Sequence, residues 1–245
     1  MAQTRVGVRP RPTSNIITDG LVFHIDAGNP RSYPGSGATV VDLINDITTT
    51  ASSSPTFNSN GYWEFDTPND DFIFSTNPLY ENNITSFTLS TWINVTLSDH
   101  NGGVGIMVAT APSANPAGGG FWIGYDDRST THSPLEGISW NCKTASGYQR
   151  GKSNNNVISN NTWHNVTLVL DNQATLYIDG VSSTNRTQDN SGNYSTVNNE
   201  LSIGSIDDSN YDYIGSLSNV SLYNRVLSPS EVLQNYNATK GRFGL

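Results

Sequence analysis

The sequence predicts an all-β fold, an antiparallel sandwich or barrel with one short helix near its C-terminal end. Three observations predict it. Apolar residues recur at every second position in runs of five to ten residues. Clusters of Gly, Pro, Asn and Asp separate those runs, as tight turns between paired strands require. A helix start signal stands out in one segment, close to the C-terminus.

The elements follow in chain order. In GLVFHIDAGNP (20–30), Leu21, Phe23 and Ile25 share one parity, and Val22, His24 and Asp26 share the other; Gly28-Asn29-Pro30 stops the strand. His24 and Asp26 read as the polar face of that strand, with no catalytic partner among their sequence neighbours. YWEFD (62–66) and DFIFS (71–75) flank the turn material Thr67-Pro68-Asn69-Asp70. SFTLSTWINV (86–95) alternates Phe87, Leu89, Thr91, Ile93 and Val95 against Thr88, Ser90, Trp92 and Asn94. VGIMVATA (104–111), GFWIGYD (120–126) and EGISWNCK (136–143) come next. TWHNVTLVLDNQATLYIDGV (162–181) reads as two strands joined through Asp171-Asn172-Gln173, and NELSIGSI (199–206) and YIGSLSNVSLY (213–223) close the series. TTTASSSP (48–55) and APSANPAGGG (111–120) read as loops. In LSPSEVLQNYNATKG, Ser228 at N-cap, Pro229 at N1 and Glu231 at N3 form a capping box. Val232, Leu233 and Tyr236 give this helix, expected over 229–237, an apolar face; Gly241 is its stop, and its role is structural. No period of 20–50 residues recurs, so one domain over 18–245 is the count.

Composition narrows the function. The 245 residues are 35% hydrophobic and 13% charged, yet five Trp, eight Phe and eleven Tyr supply a core. A net charge of −9 argues against nucleic acid as a partner of the domain. The charge is uneven: Arg5, Arg9 and Arg11 precede the first acid, Asp19, and alternate with Pro10 and Pro12. Residues 1–17 therefore read either as a disordered tail or as an extended basic arm that orders against an acidic partner surface, and the arm is the reading carried forward. Cys142 is the sole cysteine, so no internal disulfide forms, and the N-terminus does not read as a signal peptide. No apolar run is long enough for a membrane helix, so membrane insertion is not expected.

Motifs for chemistry are missing along the chain. SGYQRGKS (146–153) ends like a phosphate loop, but three residues rather than four separate Gly147 from Gly151, and no helix signal follows. There is no Gly-x-Ser-x-Gly, and His24, His100, His132 and His164 are scattered. A glycosidase needs two carboxylates about 5–10 Å apart; Glu64 and Asp66 come nearest, and they read equally well as one polar strand face. No enzymatic activity is expected. Asp207, Asp208 and Asp212 offer hard oxygen ligands for calcium, although a solvated turn uses the same residues. No other cofactor is indicated. Trp122, Tyr125, Trp140, Tyr148, Tyr211 and Tyr213 lie in or beside loops and are the candidates for stacking on sugars. The repeated Asn-x-Ser/Thr triplets fit chance in a chain this rich in those residues.

The order of DGLVFHIDAGNPRSYPGSG, WEFDTPNDDFI, FTLSTWINV, NTWHNVTLVLDNQATLYIDGV and IGSLSNVSLYNRVLSPSEVLQNY resembles the concanavalin A-like, laminin-G-type domain. The resemblance spans about residues 18–238 and implies a two-sheet jelly roll. Thr67-Pro68 stand where that family commonly has a glycine, and its calcium ligands do not map onto this chain position by position. The opening and closing segments look like those of structural proteins of marine tailed phages. That likeness implies a virion protein made in a host cytoplasm, a capsid decoration or fibre held to virion proteins by the basic arm and showing host-surface glycans a lectin-like sandwich. The alternatives are a tail-associated adhesin, a free carbohydrate-binding module and a polysaccharide depolymerase. Sandwich edge strands also make a homo-oligomer a natural expectation.

Overall fold

The computed structural model describes residues 15–50, 55–67, 70–81, 84–96, 103–110, 119–128, 136–189, 192, 194, 200–206 and 211–245. Arg5, Arg9, Pro10, Arg11 and Pro12 of the expected arm lie outside them, as do Asp207 and Asp208. The strands begin with β1 (Leu21–Asp26), β2 (Thr39–Val41), β3 (Thr48–Thr50), β4 (Thr56–Asn58), β5 (Tyr62–Phe65) and β6 (Phe72–Phe74). A helical turn, α1 (Pro78–Glu81), precedes β7 (Phe87–Asn94), β8 (Val104–Ala109), β9 (Phe121–Asp126), β10 (Gly137–Thr144) and β11 (Gly147–Lys152). Then come β12 (Trp163–Leu170), β13 (Ala174–Ile178), β14 (Val181–Ser182), β15 (Asn185–Asp189), β16 (Leu201–Ile203) and β17 (Gly215–Tyr223). The chain closes with α2 (Pro229–Thr239) and a 3-10 turn, Lys240–Phe243.

Apart from β2 and β3, which pair as a separate two-stranded ribbon, these strands form two antiparallel layers among the described residues. One is eight-stranded, in the order β14-β13-β12-β7-β17-β5-β4, with β1 also paired to β17. The other is seven-stranded, in the order β15-β11-β10-β9-β8-β16-β6. β17 serves two neighbours on one edge: Gly215–Leu217 pair with β5, and Asn219–Tyr223 pair with β1. The expected sandwich is the fold, and it is a sandwich rather than a barrel.

Period-two alternation puts one set of side chains of each strand between the layers. Phe23, Ile25, Trp63, Phe65, Leu89 and Leu168 come from the larger sheet, and Phe74, Phe121, Ile123, Tyr125, Trp140 and Cys142 from the smaller. Phe87 stacks on Phe121 at 4.7 Å, and Phe23 meets Phe74 edge-on at 4.9 Å, so aromatic pairs stitch the layers together. Each such ring, fully buried, contributes about 1.5–3 kcal/mol. Gly151 belongs to this packing: a Cβ there would overlap the Trp140 indole. The Gly-Lys-Ser of SGYQRGKS is thus strand β11 closing over a core tryptophan.

Three expectations need correction. TTTASSSP was expected to be loop, but Thr48–Thr50 is a strand paired with Thr39–Val41, because β-branched Thr suits an extended edge. α2 runs past its expected end at 237 to Thr239, and Gly241 does not stop it; the chain tightens into the 3-10 turn, and Gly244, at φ 79°, ends it. The capping box forms as read, with the Ser228 hydroxyl accepting from Glu231 N–H and the Glu231 carboxylate accepting from Ser228 N–H at 2.8 Å. Finally, residues 15–17 of the expected arm bind the domain. Gln234 donates to the Asn15 carbonyl, Ile17 N–H donates to Asn235 Oδ1, and Tyr223 donates to the Ile17 carbonyl.

Candidate functional site: a roofed face of the larger sheet

The outward parity of the larger sheet is polar and should face water. Instead α2 and the 3-10 turn lie across it and enclose a cavity of about 740 Å³. That volume is in the range of small-molecule sites. The floor is His24 and Asp26 of β1, Asn219 and Ser221 of β17, Ser90 and Trp92 of β7, and Asn165 of β12; the roof includes Asn235, Thr239, Arg242 and Phe243, with Ile16 at the rim. The helix therefore closes over the sheet, as expected, and also lines the cavity.

Register explains the floor. β1 and β17 place His24 opposite Ser221 and Asp26 opposite Asn219. His24 Nδ1 lies 2.8 Å from Ser221 Oγ. Burial pushes the His24 pKa down, against the opposing pull of Asp26 and Asp42, so the ring is neutral near pH 7. Asp42 anchors the strand by accepting His24 N–H at 2.7 Å. On the next strands, Asn165 Nδ2 donates to Ser90 Oγ and to the Thr91 carbonyl, while Thr167 Oγ1 lies within hydrogen-bond distance of Ser90 Oγ and Asn165 Oδ1. The amides and hydroxyls of the floor are thus held in fixed orientations.

Two latches fix the roof. Arg242 donates to Asp26 Oδ1 at 2.6 Å and to the Gly61 carbonyl. It reaches them through a gap that glycine leaves open: a Cβ at Gly28 or Gly61 would overlap its guanidinium. The second latch is aromatic. Phe243 stacks on Trp92 at 4.3 Å and meets Trp163 in a tilted contact at 4.6 Å, Trp163 meets Tyr62 at 5.3 Å, and Trp92 donates to Thr239 Oγ1 at 2.9 Å. Of these rings Trp92 and Phe243 line the cavity, and Phe243 remains half-buried.

The sequence-predicted residues lie elsewhere. Tyr125, Trp140 and Tyr213 are 0–1% exposed and belong to the core, so their place as sugar-stacking rings is corrected: a ring packed on both faces has none to offer. Tyr148 lies on β11 opposite Lys143, and Trp122 and Tyr211 come together on the outer face of the smaller sheet. Trp122 is buried there with Val104, Ile106, Ala109 and Ile206, and Tyr211 packs against the group. Asp212 makes an isolated bridge with Ile106. No group of three metal-ligating side chains occurs among the described residues. His164, from the Trp-His pair, is structural: its Nε2 accepts from Ser159 N–H and its Nδ1 faces Asp179 at 2.8 Å, which ties the β12–β13 hairpin. Reading His24 and Asp26 as strand surface missed the roof, whose Arg242 lies 216 residues away. The available signal was Trp92, a large apolar ring on an otherwise polar parity.

The layers and their connections define a two-sheet jelly roll with a helix-roofed outer face. Residues 65–233 match the model of the Concanavalin A-like lectin/glucanases superfamily, and the chain belongs to that superfamily. No curated protein matches the chain. Among solved structures, Trypanosoma rangeli sialidase is similar at a TM-score of 0.66 and 16% identity, over 93% of this chain and 34% of that one. The receptor binding domain of botulinum neurotoxin D is similar at 0.65 and 13% identity, over 90% of this chain and 53% of that one. The chain thus spans about a third to a half of the length of these matches, and at such identities the likeness shows the fold alone. It does correct one expectation. Enzyme chains carry this fold, so the missing contiguous motifs do not exclude activity. A motif scan is blind to pairs made by folding, such as His24 with Ser221, 197 residues apart.

Proposed function

We propose that this domain is a saccharide-binding module carried on a larger assembly, and that the assembly is the virion of a tailed phage. The observation behind the binding role is the cavity itself: fixed amides and hydroxyls on its floor, the Trp92 and half-buried Phe243 rings in its lining, and a volume in the range of small-molecule sites. Oriented amides suit hydroxyl groups, and the rings suit the apolar face of a pyranose. The virion role draws support from the likeness of the opening and closing segments to phage structural proteins, and from the arginines set ahead of an acidic domain. Those arginines would meet capsid carboxylates in bidentate pairs.

Two experiments test the two halves. A glycan array followed by titration calorimetry should give one saccharide class, and Asn219→Ala, which removes a floor amide, should weaken it about tenfold with the fold intact. An array without hits ends the binding half. Removing residues 1–14 should leave a folded domain that no longer co-purifies with particles; full incorporation of the truncated chain ends the arm's role.

A further inference from the structure

The larger sheet carries a second polar strip on its outer face, where the roof ends. Register sets Trp163 of β12 opposite Asn94 of β7, Asn94 opposite Ser216 of β17, and Ser216 opposite Glu64 of β5. Ile93, Leu217 and Trp63, their neighbours in the chain, and Val166 on β12 point into the core, so these four point outward. None of the four belongs to the cavity lining, and all four are partly exposed. Four adjacent strands span about 14 Å, more than a single sugar ring covers.

The chemistry of the strip suits a neutral sugar chain. Phe243 and Tyr62 brace the Trp163 indole at 4.6 and 5.3 Å, and part of it stays in solvent. Among the described residues Asn94 and Ser216 bond through their main chains, in the sheet ladder and through carbonyls reached by the Tyr213 hydroxyl. Their side-chain amide and hydroxyl are left for a ligand. Asn58 Nδ2 donates to Glu64 Oε1 at 3.0 Å, which orients the carboxylate and leaves it further lone pairs for hydroxyls. Glu64 is the one charged group of the four, and a carboxylate repels acidic sugars. We infer that this strip is an outer subsite for a neutral glycan chain, one ring packed on Trp163 and its hydroxyls shared among Asn94, Ser216 and Glu64. The inference rests on the saccharide reading of the cavity, because Phe243 lines the cavity and touches Trp163. A ligand that reaches both places is an oligosaccharide.

Calorimetry with the full chain tests it on neutral ladders from monosaccharide to hexasaccharide (cello-, xylo-, manno-, malto- and chito-oligosaccharides), with oligogalacturonates as the acidic control. In at least one neutral ladder, affinity should climb about tenfold or more from disaccharide to hexasaccharide, and oligogalacturonates should bind much more weakly. Trp163→Ala should flatten the climb and spare the disaccharide, and Trp163→Phe should restore most of it. Asn94→Ala should weaken the hexasaccharide severalfold, by the loss of one hydrogen bond. Asn219→Ala, in the cavity, should weaken every length. Thermal melts confirm that each variant folds. A missing climb, a climb that survives Trp163→Ala or Asn94→Ala, or a disaccharide weakened as much as the hexasaccharide by Trp163→Ala overturns the strip and leaves the cavity reading standing. Oligogalacturonates that bind as well as the neutral ladders also overturn it. Losses with Trp163→Ala and none with Asn219→Ala support the strip and count against the cavity. If no neutral ladder binds, the strip is overturned.

Discussion

The two outer faces of this sandwich start from the same alternation and end in opposite states. On the larger sheet the polar parity is roofed, so its donors and acceptors pair with one another and its charges are matched, Arg242 with Asp26 and Arg225 with Glu231. On the smaller sheet a buried apolar group around Trp122 and Ile106 gives way, at the β10–β11 pair, to cations collected around one ring. What covers a sheet face decides what its polar residues must do. Under a roof, an unpaired polar group costs about 1–3 kcal/mol, so the network closes on itself. On the smaller sheet, the Tyr148 ring takes part in holding the charges of Lys143 and Arg150.

The sharpest way to break this comparison is to remove the ring that holds the roof. Trp92 is 1% exposed and is packed by Tyr236 and Phe243 while donating to Thr239. Trp92→Ala should destabilise the fold by about 3–5 kcal/mol, measured by urea denaturation. A loss under 1 kcal/mol would show that the roof is only loosely laid on the sheet.

A smaller effect isolates the other latch. Gly28 has no left-handed φ to lose, so Gly28→Ala acts by displacing the Arg242 guanidinium alone. It should destabilise by about 1–2 kcal/mol, an overpacking penalty, and be nearly neutral once Arg242 is already Ala. A double-mutant cycle measures that coupling; additive losses would mean that Gly28 matters for a reason unrelated to the arginine.

How much of this was legible before folding depends on how local each signal was. The capping box at Ser228 and Glu231 is contained in four residues and was read correctly. The rings of GFWIGYD show where attention to parity would have helped. Phe121, Ile123 and Tyr125 share one parity and are core, so Tyr125 was never free to stack on a sugar. Trp140, between Ile138 and Cys142, follows the same rule. The cavity, in contrast, joins β1 to the C-terminal turn, and no window on the chain contains both. Short strands such as Thr39–Val41 and Thr48–Thr50 are set by pairing with each other rather than by alternation of their own.

The ion pair that fastens α2 sharpens the comparison by pH. Hydrogen bonds from Arg225 and then from Ser228 hold the Glu231 carboxyl at about 2, below the usual carboxylate range. A lowered folded pKa gives stability that is full above the unfolded value and is lost as pH falls toward the folded one. The α2 contribution, about 1 kcal/mol for a cap of this kind, should therefore fade between about pH 4.5 and about 2. Glu231→Gln should remove that part of the pH dependence in melts across the window. An unchanged acid limb in the variant would place the acid sensitivity elsewhere.

The smallest expected effect is a null, and it asks whether the roof and the sandwich open together. Cys142 lies in the core on β10, on the far sheet from the roof, and burial pushes its thiol pKa up. Thiolate is the reactive form, so labelling by a maleimide requires the sandwich itself to open. Trp63, 1% exposed in the same core, provides the positive control. Trp63→Ala should speed Cys142 labelling in proportion to its loss of stability. Phe243→Ala, which frees one end of the roof, should leave the rate under native conditions close to that of the unaltered chain. If Phe243→Ala accelerates labelling as much as Trp63→Ala does, the roof is part of one cooperative unit with the core. The C-terminal turn would then lift only when the whole domain opens, and not by a local motion of its own.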